Sequence, residues 1–333
     1  MTVQPSPEAL GHKAELAHCA TFPLLGVPVE IRSNCVAVIA AAELAFGRWR
    51  SLAPELIAPV APALVEVIVQ PADPALLAEE PRPFVHRVHG GRFIASDGVN
   101  MLSAQYDQGR ALAVIGLELL PREEQLRDNV LRLLALLLVT QHDRVPVHAG
   151  AVVHDGLAIL LAGRSTAGKS TLSYACLRDG FQLLAEDVVY VSRTPTLRLW
   201  GLPDLIHLLP DAVSFFPELA EVPAKVQANG KYKLAVETAR FGADRAVCHA
   251  ERAVVCVLER HAAAATRLEP IEPAQAIAVL SGNREPGFDL YEGTSAVAEA
   301  LAAGGAYRMT VGHDLSSATA ALRDLARSTS SSH

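Results

Sequence analysis

The pattern of hydrophobic and polar positions changes texture along the chain, and the change predicts two regions. Between about residues 20 and 120 the apolar residues come in short alternating runs, VPVEIRS (27–33) and ALVEVIVQ (63–70), which read as half-buried strands. An alanine-rich stretch from Ala37 to Trp49 lies between them and predicts a helix. A proline-rich loop over Pro71–Pro83, a Gly90-Gly91 turn and an amphipathic helix over Pro121–Gln141, with proline in its first turn, complete a small α+β domain bounded at 20–142. Residues 1–19 read as a flexible lead-in, and they lack the basic region and apolar stretch of a secretory signal.

From residue 143 onward, strand-like, turn and helical segments alternate. HAGAVVH (148–154) and GLAILLAG (156–163) lead into a glycine-rich loop, a helix from Lys169 to Arg178, and a single strand QLLAEDVVYV (182–191). This order predicts an α/β nucleotide-binding core. Residues 195–235 interrupt it with Pro195, Pro203, Pro210, Pro217 and Pro223, and such an excursion reads as a functional loop. The strand RAVVCVLER (252–260) restores the rhythm. Helices over Pro273–Ser281, Thr294–Ala303 and Leu315–Arg327 then close a domain of residues 143–327, with 328–333 as a disordered tail. No internal repeat is present.

Composition narrows the class. Half of the 333 residues are hydrophobic and a fifth are charged, which describes a globular chain rather than a disordered or fibrous one. The formal net charge of -7, without any basic cluster, argues against a nucleic-acid partner. The most apolar run, Val130 to Thr140, is broken by Arg132 and reaches only about half the roughly 20 residues of a membrane span, so no membrane partner is expected. The five cysteines are scattered and form no CxxC pair, which suits a reducing cytoplasm and suggests neither a disulfide framework nor a zinc site.

The chemistry is concentrated in one segment. Gly163-Arg164-Ser165-Thr166-Ala167-Gly168-Lys169-Ser170 satisfies GxxxxGK[ST] and stands between a buried-strand run and a helix. That placement aims successive backbone N–H groups and the positive end of the helix dipole at bound phosphate. Gly163 and Gly168 let the backbone curl, Lys169 brings a compact charge to the β and γ phosphates, and the Ser170 hydroxyl reaches Mg²⁺, with Thr171 placed for the α phosphate. ATP and Mg²⁺ are the expected cofactors. Only five of the 29 basic residues are lysines, so lysine marks places where point-charge geometry suits the ligand. By that reasoning Lys231 and Lys233, in NGKYK, are candidate substrate contacts, with an ordinary exposed turn as the equal alternative.

Two further features stand near this loop. Glu186 and Asp187 follow Lys169 by 17 and 18 residues in an apolar strand. One carboxylate could hold Mg²⁺ through water, and the other could take a proton from an attacking hydroxyl. His148 precedes the first core strand in VPVHAGAVVH, where a histidine is an ordinary residue unless other groups converge on it.

The segment from His148 to Val191 resembles the catalytic domain of HPr kinase/phosphorylase and its relatives. It has a histidine before a small-residue strand (HAGAVV), a strand ending in the phosphate loop, a helix ending in glycine (LRDG), and a strand with two acidic residues (LLAED). Over 145–327 the likeness is one of element order. The resemblance implies a P-loop core of the phosphoenolpyruvate-carboxykinase-like type and a kinase that transfers the γ-phosphate of ATP to a serine hydroxyl. It implies Lys169 and Ser170 on phosphate and metal, Asp187 on Mg²⁺, Glu186 as the base where the family has an aspartate, His148 lining the active site, and a homo-oligomer. The stretch LWGLPDLIHLLPDAV lacks the LEIRGLGI-like segment of true HPr kinases, so the acceptor is expected to be another peptide or protein, such as a modified-peptide precursor, or a small hydroxyl compound. The competing reading is a regulatory ATP-binding protein without catalysis, whose residues 195–235 respond to nucleotide.

Overall fold

A computed structural model describes residues 15–71, 83–226, 231–261, 265–282 and 291–330. Most of the expected lead-in, residues 72–82 of the proline-rich loop, the first two residues of NGKYK and residues 331–333 of the tail lie outside the described residues. The chain divides into two units, Met1–His142 and Asp143–His333. The architecture is mixed α/β, built on several sheets. Among the described residues no helix is long and apolar enough to cross a membrane.

The first unit contains strands β1 (His18–Leu24), β2 (Val27–Ser33), β3 (Ala63–Gln70), β4 (Val85–His89), β5 (Arg92–Ser96), β6 (Met101–Gln105) and β7 (Arg110–Gly116), with helices α1 (Val36–Phe46) and α2 (Leu133–Val139). One sheet takes the order β1-β2-β3-β7-β6-β5-β4. Alternation along its strands buries Val29 and Ile31, Val65 and Val67, and Ala111 and Ala113. Both helices pack on this sheet. The helix expected over Ala37–Trp49 ends at Phe46, where Gly47 begins a 3-10 turn through Ser51. The one expected over Pro121–Gln141 is π-wound over Gln125–Arg132 before becoming α2, and nothing in the sequence explains that wider winding.

The second unit contains β8 (Val145–His148), β9 (Gly150–His154), β10 (Leu157–Ala162), α3 (Lys169–Arg178), β11 (Gln182–Ala185), β12 (Val188–Ser192), β13 (Arg198–Trp200), β14 (Leu205–Leu208), β15 (Ala224–Val226), β16 (Tyr232–Glu237), β17 (His249–Ala250), β18 (Arg252–Arg260), β19 (Arg267–Pro270), α4 (Pro273–Gly282), α5 (Thr294–Ala303), β20 (Ala306–Val311) and α6 (Leu315–Ser330). A six-stranded sheet, β11-β9-β10-β18-β20-β19, has β18 parallel to both β10 and β20. It is buried on both faces, which is why LAILLA and AVVCVL are continuously apolar. Ile159, Leu161, Val254 and Cys256 join residues of α3 and α6 in one core; Ala158, Leu160, Ala253 and Val255 join residues of α4 and α5 in another.

Two expected strands prove to be four. HAGAVVH breaks at Ala149 into the end of β8 and all of β9, and QLLAEDVVYV breaks at Glu186-Asp187 into β11 and β12. β9 pairs with β11 in the six-stranded sheet, whereas β8 pairs with β12 in a separate sheet of order β17-β13-β12-β8. A two-stranded ribbon is thus shared between two sheets, and both of its strands bend at the same level. The described residues of 195–235 likewise form no open loop. Their prolines fall between strands, and β14 and β15 flank β16 in a three-stranded antiparallel sheet whose Ile206, Leu208, Leu234 and Val236 enter the core beside α3.

Candidate active site

The glycine-rich loop joins β10 to α3, and Gly168 caps the helix in the left-handed region at φ 95°, which a side chain would strain. Arg164, Ser165 and Thr166 form the exposed bend, whereas Ala167 and Gly168 are half-buried and Lys169 is buried. Gly163 begins the turn, and its carbonyl receives the Lys169 ammonium at 3.0 Å. The same Nζ lies 3.5 Å from the Arg164 carbonyl and 3.2 Å from His148 Nε2. For Lys169 to donate to it, Nε2 must carry the lone pair, which makes the His148 ring neutral with its proton on Nδ1. Thr171 follows on the first turn of α3, half-buried.

The break between β11 and β12 delivers the carboxylates. Glu186 and Asp187 occupy the bend itself, so neighbouring residues diverge. Glu186 Oε1 accepts from the Ser170 hydroxyl at 3.2 Å, and its Oε2 is 2.7 Å from His207 Nδ1. Asp187 turns to the other side, with Oδ1 3.6 Å from His148 Nε2. That separation exceeds a hydrogen bond, and with the ring neutral it is a close approach rather than an ion pair. Glu186 retains 12% side-chain exposure and Asp187 46%, a contrast that separates a fixed group from an accessible one.

Gly150 permits this convergence. A Cβ there would lie 2.8 Å from the Glu186 carbonyl, a backbone atom, and 3.4 Å from Ser173 Oγ. The ribbon's two bends therefore pack main chain against main chain, bringing His148 at the end of β8 beside the acidic pair.

Loop, His148, Glu186 and Asp187 come together as one network. Lys233 lies on β16, on the face opposite the buried Leu234 and Val236; His207 pairs across from Ala235 and so shares that face. Lys225 pairs directly with Lys233. Lys231 stands exposed just before β16. His207 was not among the residues singled out by sequence. The available signal was the alternation in LIHL, where Ile206 and Leu208 are buried and the histidine between them must face away.

The donor set is a hydroxyl, two carboxylates and an ammonium beside a helix N-terminus. Hard oxygen ligands in that number fit Mg²⁺, which binds through one or two carboxylates together with phosphate and water. Among the described residues no cluster of three or more His, Cys, Asp or Glu side chains could enclose a metal unaided.

No protein-family model matches the chain, and no curated protein does. Among solved structures it is similar to the Hpr(Ser) kinase/phosphatase from Coxiella burnetii, at 16% identity and a TM-score of 0.27, over 55% of this chain and 94% of that one. A likeness of that size leaves the chemistry of the site to be argued from its own residues.

Proposed function

We propose that this protein is an ATP-dependent kinase that transfers the γ-phosphate to a hydroxyl, with a serine of a peptide or protein, such as a modified-peptide precursor, as the acceptor. The observation that carries the reading is the convergence of Lys169, Ser170 and two carboxylates of unequal exposure on one strand-to-helix loop. A second, solvent-facing carboxylate on the side of the phosphate-binding lysine supplies what hydroxyl phosphorylation needs, a proton acceptor next to the transferring group.

Catalysis on this reading is mainly electrostatic positioning. The amides opening α3 cradle the phosphates, and Lys169, which now donates to the Gly163 and Arg164 carbonyls and to His148, would exchange one of these contacts for the γ-phosphate. Ser170 and one carboxylate of the acidic pair would hold Mg²⁺, which supplies charge neutralisation across the β and γ phosphates. Lys233 shares the His207 face and, with Lys231 nearby, is proposed to contact the acceptor. All five cysteines are free, in keeping with a cytoplasmic setting.

Isothermal titration with Mg²⁺-ATP, followed by γ-labelled transfer to serine-containing peptides encoded beside the gene and to the cell's own extract, tests the reading. Lys169→Ala should weaken nucleotide binding by about 10- to 100-fold, the loss of a charge-assisted contact of about 1.5–3 kcal/mol. Binding by the wild type without labelling of any acceptor would favour the regulatory alternative, and absence of binding would remove both.

A further inference from the structure

The sheet of the first unit ends in a strand that carries both cations and apolar side chains into solvent. β4 closes the order β1-β2-β3-β7-β6-β5-β4, and among the described residues no strand pairs with its outer side. All five of its residues are exposed. We infer that this edge binds an extended, acidic peptide segment, which joins the sheet as a further strand. The inference goes beyond the kinase reading and does not depend on it.

An open edge presents the N–H and C=O groups of alternate residues to any chain that can pair with it, and charge on an edge ordinarily serves to keep strands away. β4 is not built for that alone. Val85 is 74% exposed, Val88 41%, and Ile94 on the neighbouring β5 54%, which gives an incoming strand apolar surface to cover. The register sorts these residues by face. Phe93 and Ala95 are buried, so their partners Val88 and His86 turn to that face, and His86 stacks on Phe93 with ring centroids 6.0 Å apart. Val85, Arg87 and His89 turn to the other face, opposite Ser96, Ile94 and Arg92.

Charge selects the occupant. From Pro83 to Ser96 the chain carries His86, Arg87, His89 and Arg92 and no Asp or Glu, although its net charge is -7. Among the described residues no carboxylate pairs with Arg87 or Arg92. Asp97, at the end of β5, is taken up by the Asn100 side chain and the Val99 and Asn100 amides, and Glu66 on β3 by Arg110. A second copy of β4 is a poor partner. Antiparallel pairing about a two-fold at the strand's centre would set Arg87 against Arg87, and like charges directly opposite destabilise a pair. An acidic strand reverses that sign: a carboxylate opposite Arg87 makes a charge-assisted contact, an apolar residue beside it covers Val88, and the main chain supplies the ladder.

The test uses the full chain and a fluorescein-labelled eight-residue peptide alternating Val and Glu, with two counterparts, one carrying Lys in place of Glu and one carrying Pro-Pro at its centre. By fluorescence anisotropy the Glu peptide should bind, and both counterparts should bind at least about tenfold more weakly. Its advantage over the Lys peptide should shrink in about 0.5 M salt. Hydrogen–deuterium exchange should slow at the amides of β4 and not at those of β1, on the opposite edge. Arg87→Glu, at an exposed position, should melt within about 1 °C of the wild type, bind the Glu peptide about 3- to 30-fold more weakly and favour the Lys peptide. No binding of the Glu peptide at about 1 mM, equal binding of the Glu and Lys peptides, or protection elsewhere than β4 would overturn the inference. A dimer in sedimentation velocity that the peptide dissociates would do so too, by giving the edge to a second copy. No arm of the test uses nucleotide, so its outcome and that of the kinase reading are separate.

Discussion

Gly150→Ala probes the crossing on which the site depends. The added methyl would sit 2.8 Å from the Glu186 carbonyl, and ordinary contact begins near 3.4 Å, so the bend carrying the acidic pair must retreat by the difference, about 0.6 Å. The neighbour is main chain inside a buried ribbon, so no rotamer change relieves it. Overpacking of this kind costs about 1–3 kcal/mol, and in a unit of this size each kcal/mol lowers the melting temperature by about 2–4 °C, giving an expected drop of about 2–12 °C. The functional effect should be larger than the thermal one, since a displacement approaching 1 Å in a phosphate-transfer site can reduce rate by about a hundredfold. Circular-dichroism melts and Mg²⁺-ATP titration of the variant would show both. Ser173→Ala in the same chain should rescue neither, because the hydroxyl lies at 3.4 Å and is not the limiting contact. If Gly150→Ala melts within about 1 °C of the wild type and binds nucleotide equally, the tight crossing does not control the site.

Other expectations are simpler. Leu208→Ala empties a fully buried position on β14 and should cost about 2–5 kcal/mol in urea unfolding; a loss below about 1 kcal/mol would contradict the packing of this sheet on α3. Burial pushes the Cys256 thiol up to about 12 and the Cys176 thiol higher still, so native alkylation near pH 8 should modify exposed Cys19 and spare those two until the fold opens. Mass spectrometry of the labelled protein reads the outcome. Burial alone would raise the Asp143 carboxyl, but hydrogen bonds from the Arg193 and Thr194 amides and the Thr194 hydroxyl outweigh it and hold the group below its usual range. A depressed value stabilises the fold above the ordinary carboxylate pKa and loses that contribution as pH falls through the lowered one. Asp143→Ala should therefore melt lower than the wild type at neutral pH, with the gap closing from about pH 4 downward; a gap that stays constant through that range would refute the clamp.

The parts legible in the sequence were those written in contiguous residues. Gly163 to Ser170 is a local motif with its strand and helix on either side, and β10, α3, β18 and α5 follow from local periodicity. What escaped is non-local. Nothing within QLLAEDVVYV distinguishes one continuous strand from two, because the apolar pattern persists while its partner changes from β9 to β8. The proline spacing of 195–235 suggested a loop, since pairing of β14 with β16 across more than 20 intervening residues leaves no short-range trace. His207 was hidden for the same reason: its role exists only once β14 lies against Glu186.

The ribbon divided between two sheets also limits how this unit could be taken apart. Cutting the chain at buried Ala149 or between Ala185 and Val188 would separate both halves of the site and sever the shared ribbon at once. Fragment complementation or circular permutation should therefore fail there and succeed, if anywhere, at the Asp155-Gly156 turn between β9 and β10, where the ribbon ends within a single sheet.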